Sequence, residues 1–447
     1  MAVPVSALPR SASFGPMADA PAGYDGQDTC SPTAKPGVVA FSNMLMNAFP
    51  QTGSYGISRA CDVGGTSEHK EGRAFDWRAN VSVPSERKAV ETVLDWLFAT
   101  DKYGNDFAMA RRFGIMYIVW NRRIWGSWGG WSTYCVQKRI GCVKPGTKEV
   151  RHPHTDHAHI SFSWDGAKKR TTGWLPERSL VAAIGSPSSF EGYVLAGRNG
   201  AIAPFGVPYL GSKSDRFMPH AVVDVAASPS GYGYWILFGN GQVSAFGDAK
   251  YKGGAKNEKA GSFVSMATRP DGRGYWLVNE AGRVFAFDRA DHFGGLVADD
   301  VHIAGIAASS TGEGYWLFGQ SGRVYAFGDA MPLEEVSEED FSDPVVGGAS
   351  NGSLGYWMVT SAGRVFAFGD AADHGGVSDK KFKGEIVGID AAPGGEGYWL
   401  VTSQGRVFAR GGAPALGGLS GPNLTRQTMD ARPSRPGTMP EGDAPAH

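Results

Sequence analysis

The stretch Gly355-Tyr356-Trp357-Met358-Val359-Thr360-Ser361-Ala362-Gly363-Arg364-Val365-Phe366-Ala367-Phe368-Gly369-Asp370 is the fullest copy of a unit that recurs through the second half of the chain. Its opening returns as Gly233-Tyr234-Trp235, Gly274-Tyr275-Trp276, Gly314-Tyr315-Trp316 and Gly397-Tyr398-Trp399, with successive tyrosines 41, 40, 41 and 42 residues apart. Gly192-Tyr193-Val194, 41 residues earlier, is a weaker sixth member. Each copy runs on into a Gly-Arg-Val-Phe-Ala-Phe-Gly-Asp-like segment and follows an apolar stretch such as 222–226 or 386–389. Short alternating strands between glycine-rich turns at this period predict one small antiparallel sheet per repeat. Such a sheet cannot bury both faces alone, so the copies must stack. Radial stacking predicts a six-bladed β-propeller, with an open β-solenoid as the alternative. The Tyr-Trp pairs invite a sugar-stacking role, but a residue repeated in register in every copy reads more readily as the packing layer between blades. A cell-wall glycan or a surface protein is the partner expected of this region.

A chain of 447 residues exceeds one ordinary core, so more than one domain is expected. Residues 1–29, rich in Ala, Pro, Ser and Gly, read as a flexible leader without the apolar core of a secretory signal. Residues 30–185 read as an α+β domain, 186–420 as the all-β repeat domain, and 421–447 as a disordered tail. Residues 179–184 fit either side of the boundary. No apolar run is long enough to argue a membrane span, and no nucleic-acid partner is expected. Lys and Arg outnumber Asp and Glu by 21 to 13 over 30–185, while the balance is 18 to 25 over 186–420. A basic first half suits an anionic polymer such as a bacterial wall; opposite charges equally serve to keep two domains soluble or docked.

All four cysteines lie in the first half, and four allow three pairings. The six-residue loop between Cys135 and Cys142 suits a local bridge, leaving Cys30 with Cys61. Disulfides imply an oxidising compartment, hence a secreted or wall-associated protein; four reduced core cysteines are the competing reading.

Within 30–185, Pro36 opens a helix over 37–48, with Val39, Met46 and Phe49 among its apolar positions. After Pro84, Val90, Val93, Leu94 and Leu97 mark the buried face of a second helix. Residues 116–120 and 158–163 read as strands. The chemistry concentrates in Ser67-Glu68-His69-Lys70-Glu71-Gly72-Arg73-Ala74-Phe75-Asp76-Trp77 and in residues 152–159. A turn at Gly72 would bring His69 and Asp76 to one point. The later segment offers His152, His154, Asp156, His157 and His159. Two imidazoles and one carboxylate with a vacant position describe a catalytic zinc site rather than a structural one.

Ser-x-His-x-x-Gly-x-Ala-x-Asp at 67–76, followed by Asp-x-x-His at 156–159, resembles the zinc peptidases that cut peptidoglycan peptides. That family includes D-alanyl-D-alanine carboxypeptidases and dipeptidases, and L-alanyl-D-glutamate endopeptidases. The resemblance spans about 37–165, and residues 117–125 and 135–142 are similar to secreted actinobacterial members, which can carry a repeat region of this kind. It implies that His69, Asp76 and His159 bind one zinc ion and that Asp156 is the general base, where members commonly have Glu. His157 and Arg59 are candidates for steadying the oxyanion. His157 also reads as a strand histidine orienting a neighbour, and Arg59, closer to His69 than the family's arginine, as a surface charge beside a cysteine. Ser67, Trp120, Asn121 and Arg122 would line a groove for stem peptides, although 120–125 equally reads as an edge strand with snorkelling arginines. The expectation is a secreted peptidase on stem peptides. A cell-surface binding protein with an inactive peptidase-like domain is the alternative.

Overall fold

The computed structural model describes residues 8–9, 13–139, 141–256, 260–296, 301–333 and 341–419. The tail 421–447, read above as disordered, lies outside the described residues.

In the first half, two prolines each open a helix, α1 (Pro36–Ala48) and α2 (Pro84–Phe98). Proline suits the first turn, where the missing N–H has no intrahelical acceptor. α2 buries Ala89, Val90, Val93 and Leu97, much as its spacing predicts. α1 buries Val38, Phe41, Leu45 and Ala48, while Val39, one of its apolar positions, is exposed. The bulkier row through Phe41 and Leu45 wins the core position. Two short helices, α3 (Ala108–Phe113) and α4 (Trp164–Ala167), complete the helical part.

The strands of this half are β1 (Gly53–Gly56), β2 (Ala74–Arg78), β3 (Ile115–Trp120), β4 (Arg123–Gly126), β5 (Gly130–Thr133), β6 (Val136–Gln137), β7 (Cys142–Val143), β8 (Val150–Arg151) and β9 (His157–Phe162). Six of them form one antiparallel sheet in the order β1-β2-β9-β3-β4-β5. The motif strands β2 and β9 are therefore neighbours within the sheet, although some eighty residues separate them. The small sheet β6-β7-β8 stands apart. Both expected disulfides form, Cys30–Cys61 and Cys135–Cys142, and no cysteine is free.

The described part of the leader, residues 8–9 and 13–29, is packed rather than loose, which corrects the expectation of a flexible arm there. Phe14 packs into the core of the first half, and Met17 into a cluster with Val181, Leu195 and Trp399 of the repeats. Three arginines take its carbonyls: Arg112 bonds Gly15 O and Met17 O, Arg111 bonds Asp19 O, and Arg73 bonds Asp25 O. Ala/Pro/Gly-rich backbone with few side chains leaves its carbonyls open to buried guanidinium groups, and those charge-assisted bonds hold it.

Among the described residues, the second half forms six three-stranded antiparallel sheets. Their first strands are Val181–Gly185, Val222–Ala227, Phe263–Thr268, Ile303–Ala308, Val345–Ser350 and Ile386–Ala391. Residues 181–185 thus belong to the first repeat, so the boundary falls earlier than 185/186. Each first strand lies beside the next, and the sixth lies beside the first. All six line a central cavity of about 240 Å³.

The repeated aromatics are the packing layer. Each Gly-Tyr-Trp tyrosine and tryptophan is at most 2% exposed, which leaves no face for a sugar. Trp235, Trp276, Trp316, Trp357 and Trp399 each donate Nε1–H to the carbonyl fifteen residues on, at 2.7–2.8 Å. Each of these rings also meets the tyrosine of the following repeat, and Trp399 meets Tyr193 of the first. Tyr193 Oη donates in turn to Gly417 O of the sixth repeat at 2.6 Å.

Candidate metal centre

The centre is built on one tight turn and one strand pair. Ser67 caps a 3-10 turn at Glu68–Glu71, its Oγ accepting from His69 N–H at 3.4 Å. Gly72 then takes φ +65° and the chain enters β2. A Cβ at Gly72 would sit 2.1 Å from Thr33 O, so both the backbone angle and the space require glycine. Register pairs Asp76 of β2 with His159 of β9. His69 Nε2, His159 Nδ1 and His157 Nε2 lie 3.1, 2.9 and 3.6 Å from the single atom Asp76 Oδ1. His157 and His159 share a strand face, as the period-two rule requires.

The outer nitrogens of both expected imidazole ligands are held. His69 Nδ1 lies 2.8 Å from Ile57 O, and His159 Nε2 lies 2.9 Å from Ser161 Oγ. Ser161 Oγ reaches the buried Glu68 carboxylate at 3.4 Å, and Tyr117 Oη donates to the same oxygen at 2.6 Å. Burial and the Glu68 charge push the Tyr117 hydroxyl well above its ordinary range, keeping it a donor. Such outer partners fix ring orientation and strengthen a metal ligand. Burial alone would raise the Asp76 carboxyl, but the His159 hydrogen bond and the neighbouring His159 and His69 rings outweigh it and hold the group well below the usual range. Burial above all lowers His159, favouring the neutral ring that a metal needs. His69 Nε2 is itself buried without a well-formed hydrogen bond. One carboxylate oxygen and two imidazole nitrogens within 4.8 Å of one another fit a divalent cation.

Asp156 is 42% exposed at the rim, its Oδ1 held 3.0 Å from His157 Nδ1. His157 therefore stands between Asp156 and Asp76, which fits the orienting role. Arg59 contributes its backbone N–H to His69 O at 3.1 Å; its side chain makes no hydrogen bond or ion pair among the described residues. The groove reading fails for Trp120, which is a core residue, and for Ser67, which is fully buried as a cap. Asn121 and Arg122 form the left-handed β3–β4 turn, and their N–H groups hold His154 O and Pro153 O at 2.7 and 2.9 Å. Their task is to place the histidine loop. Glu68, Tyr117 and Ser161 went unread in the sequence. Ser161 alone carried a signal, lying two positions beyond His159 on the same strand face.

Residues 30–141 match the family model described as VldE, C-terminal domain. The match covers His69 and Asp76 and ends before the histidine-rich segment, so it does not reach His159. No curated relative matches the chain.

Proposed function

We propose that the first half is a secreted zinc-dependent peptidase acting on peptidoglycan stem peptides, joined to a six-bladed β-propeller that targets or scaffolds it. The convergence of His69, Asp76 and His159, with both outer imidazole nitrogens held, carries the reading. The two disulfides support an oxidising compartment, and no helix among the described residues is long and apolar enough to cross a membrane. The cyclic neighbour pattern of the six first strands, and the Tyr193–Gly417 bond between first and last repeats, support the propeller over an open solenoid.

Zinc bound there would lower the pKa of water toward about 7 and polarise the scissile carbonyl. His69, Asp76 and His159 would hold the ion, with Asp76 ionised to do so. Asp156, within reach of solvent, takes the proton of the attacking water and returns it to the leaving amine. His157 orients Asp156 through the 3.0 Å bond. The basic balance of this half suits stem peptides, whose termini carry carboxylates.

The test combines zinc content with mass spectrometry of digested wall peptides. Wild type is expected to release D-alanine or cleave a stem bond, while His159→Ala and Asp156→Ala do neither. Stoichiometric zinc without any cleavage would favour a wall-binding protein with an inactive peptidase-like domain.

A further inference from the structure

The geometry points to a second metal site: His152, His154 and His157 form a more open centre for a divalent transition-metal ion, beside the His69–Asp76–His159 group. The three residues offer ring nitrogens within 4.8 Å of one another. Their rings pack with centroids 5.0 Å apart for His152–His154, 5.1 Å for His152–His157 and 4.8 Å for His154–His157. Three unlike elements bring them together: the loop after β8, its left-handed turn at His154, and the first residue of β9.

Hydrogen bonding selects the ring nitrogens. His154 Nδ1 lies 2.8 Å from His152 O, an acceptor only, so the proton is on Nδ1 and the lone pair on Nε2. His157 Nδ1 lies 3.0 Å from the Asp156 carboxylate, which likewise places the lone pair on Nε2. These are the fixed tautomers that metal-ligating histidines show. His152 is the adjustable member. It is 42% exposed, and its Nδ1 accepts a 3.1 Å bond from His154 N–H, which it can exchange for a metal by turning its ring.

The loop is built to hold this arrangement. His154 is 2% exposed and sits at φ +47°, a left-handed conformation unfavourable for a non-glycine residue. Asn121 and Arg122 hold it there through their N–H groups. An all-imidazole donor set selects zinc, copper, nickel or cobalt over magnesium or calcium. Because His152 is exposed whereas His69 and His159 are 3% and 1% exposed, the second ion is the weaker and faster-exchanging one. The inference stands whether or not the first centre is catalytic.

Equilibrium dialysis of the metal-stripped full chain against Zn2+, read by elemental analysis, tests it. Wild type is expected to bind two equivalents, one tighter than the other. His152→Ala, at an exposed position that leaves folding intact, should raise the Kd of the weaker equivalent at least about tenfold and leave the tighter one unchanged. His69→Ala should do the reverse. A single equivalent in wild type, or an unchanged weaker equivalent in His152→Ala, overturns the second site. Two equivalents without peptide cleavage uphold it and count against the peptidase reading alone.

Discussion

His159 Nδ1 lies 2.9 Å from Oδ1 of Asp76, its register partner on the adjacent antiparallel strand. That one pairing turns two distant sequence motifs into a single centre. Sliding β9 by one residue would send both His157 and His159 to the opposite face of the sheet. Strand register is thus the element on which the chemistry of the first half depends.

Ser161→Ala removes the group that holds His159 Nε2 without touching a ligand. Zinc affinity, measured by competition with a chelating dye, is expected to fall about 10–100-fold. Stability should change by only about 1 kcal/mol. An unchanged affinity would show that the His159 ring is fixed by packing instead.

Asp101→Ala leaves Arg112 buried without its counter-charge; the pair is 2.9 Å apart and both side chains are at most 1% exposed. Breaking a buried pair on one side costs about 3–5 kcal/mol. Asp101 also accepts from Tyr103 N–H and Asn105 N–H, so the turn loosens as well. Urea denaturation of the purified variant checks the loss. A change under about 1 kcal/mol would contradict the role of this pair in seating the leader.

Gly72→Ala places a methyl group against Thr33 O in a left-handed backbone. The backbone term alone is about 1–2 kcal/mol, and the clash adds to it. The expected result is a loss of more than about 2 kcal/mol together with weakened zinc binding, because this turn sets His69 against Asp76. Paired denaturation and metal titration report both effects, and wild-type values in either would refute the linkage.

Stability of the second half should fall as pH rises. Asp224 and Asp390 line the central cavity, and burial pushes their carboxyls up to about 6 and about 7. A carboxyl whose folded pKa exceeds the unfolded value of about 3.9 holds its proton more tightly in the native state. Its contribution is complete below about pH 4 and is lost as pH climbs through 6 to 7. The unfolding midpoint is expected a few degrees lower at pH 8 than at pH 5, about 1 kcal/mol corresponding to about 2–4 °C for this size. The double variant Asp224→Asn, Asp390→Asn should flatten that slope. Equal slopes in calorimetric scans of the two proteins would remove these carboxyls as the cause.

The repeat half was legible because its signal is written six times. Period, strand alternation and the in-register Tyr of all six copies, with Trp beside it in five, predict small sheets and a buried aromatic layer, and Trp276 and Tyr315 pack as expected. Helices α1 and α2 were legible from their prolines and apolar residues, although Val39 of α1 is exposed. The leader was misread because composition reports on side chains. What holds it is its own carbonyls meeting Arg73, Arg111 and Arg112, donors drawn from elsewhere in the fold.

By itself the sequence determined the local things: six repeats, two proline-opened helices, the disulfide spacing, and a glycine turn between His69 and Asp76. Each follows from propensities and periodicities acting over a few neighbouring residues. Only the tertiary structure decided which histidine of 152–159 pairs with Asp76, that Trp120 and Ser67 are internal supports, and that Glu68, Tyr117 and Ser161 stand behind the His159 ring. Those are consequences of strand register and long-range packing, where residues far apart in the chain share one small volume and hydrogen-bond satisfaction selects their orientation.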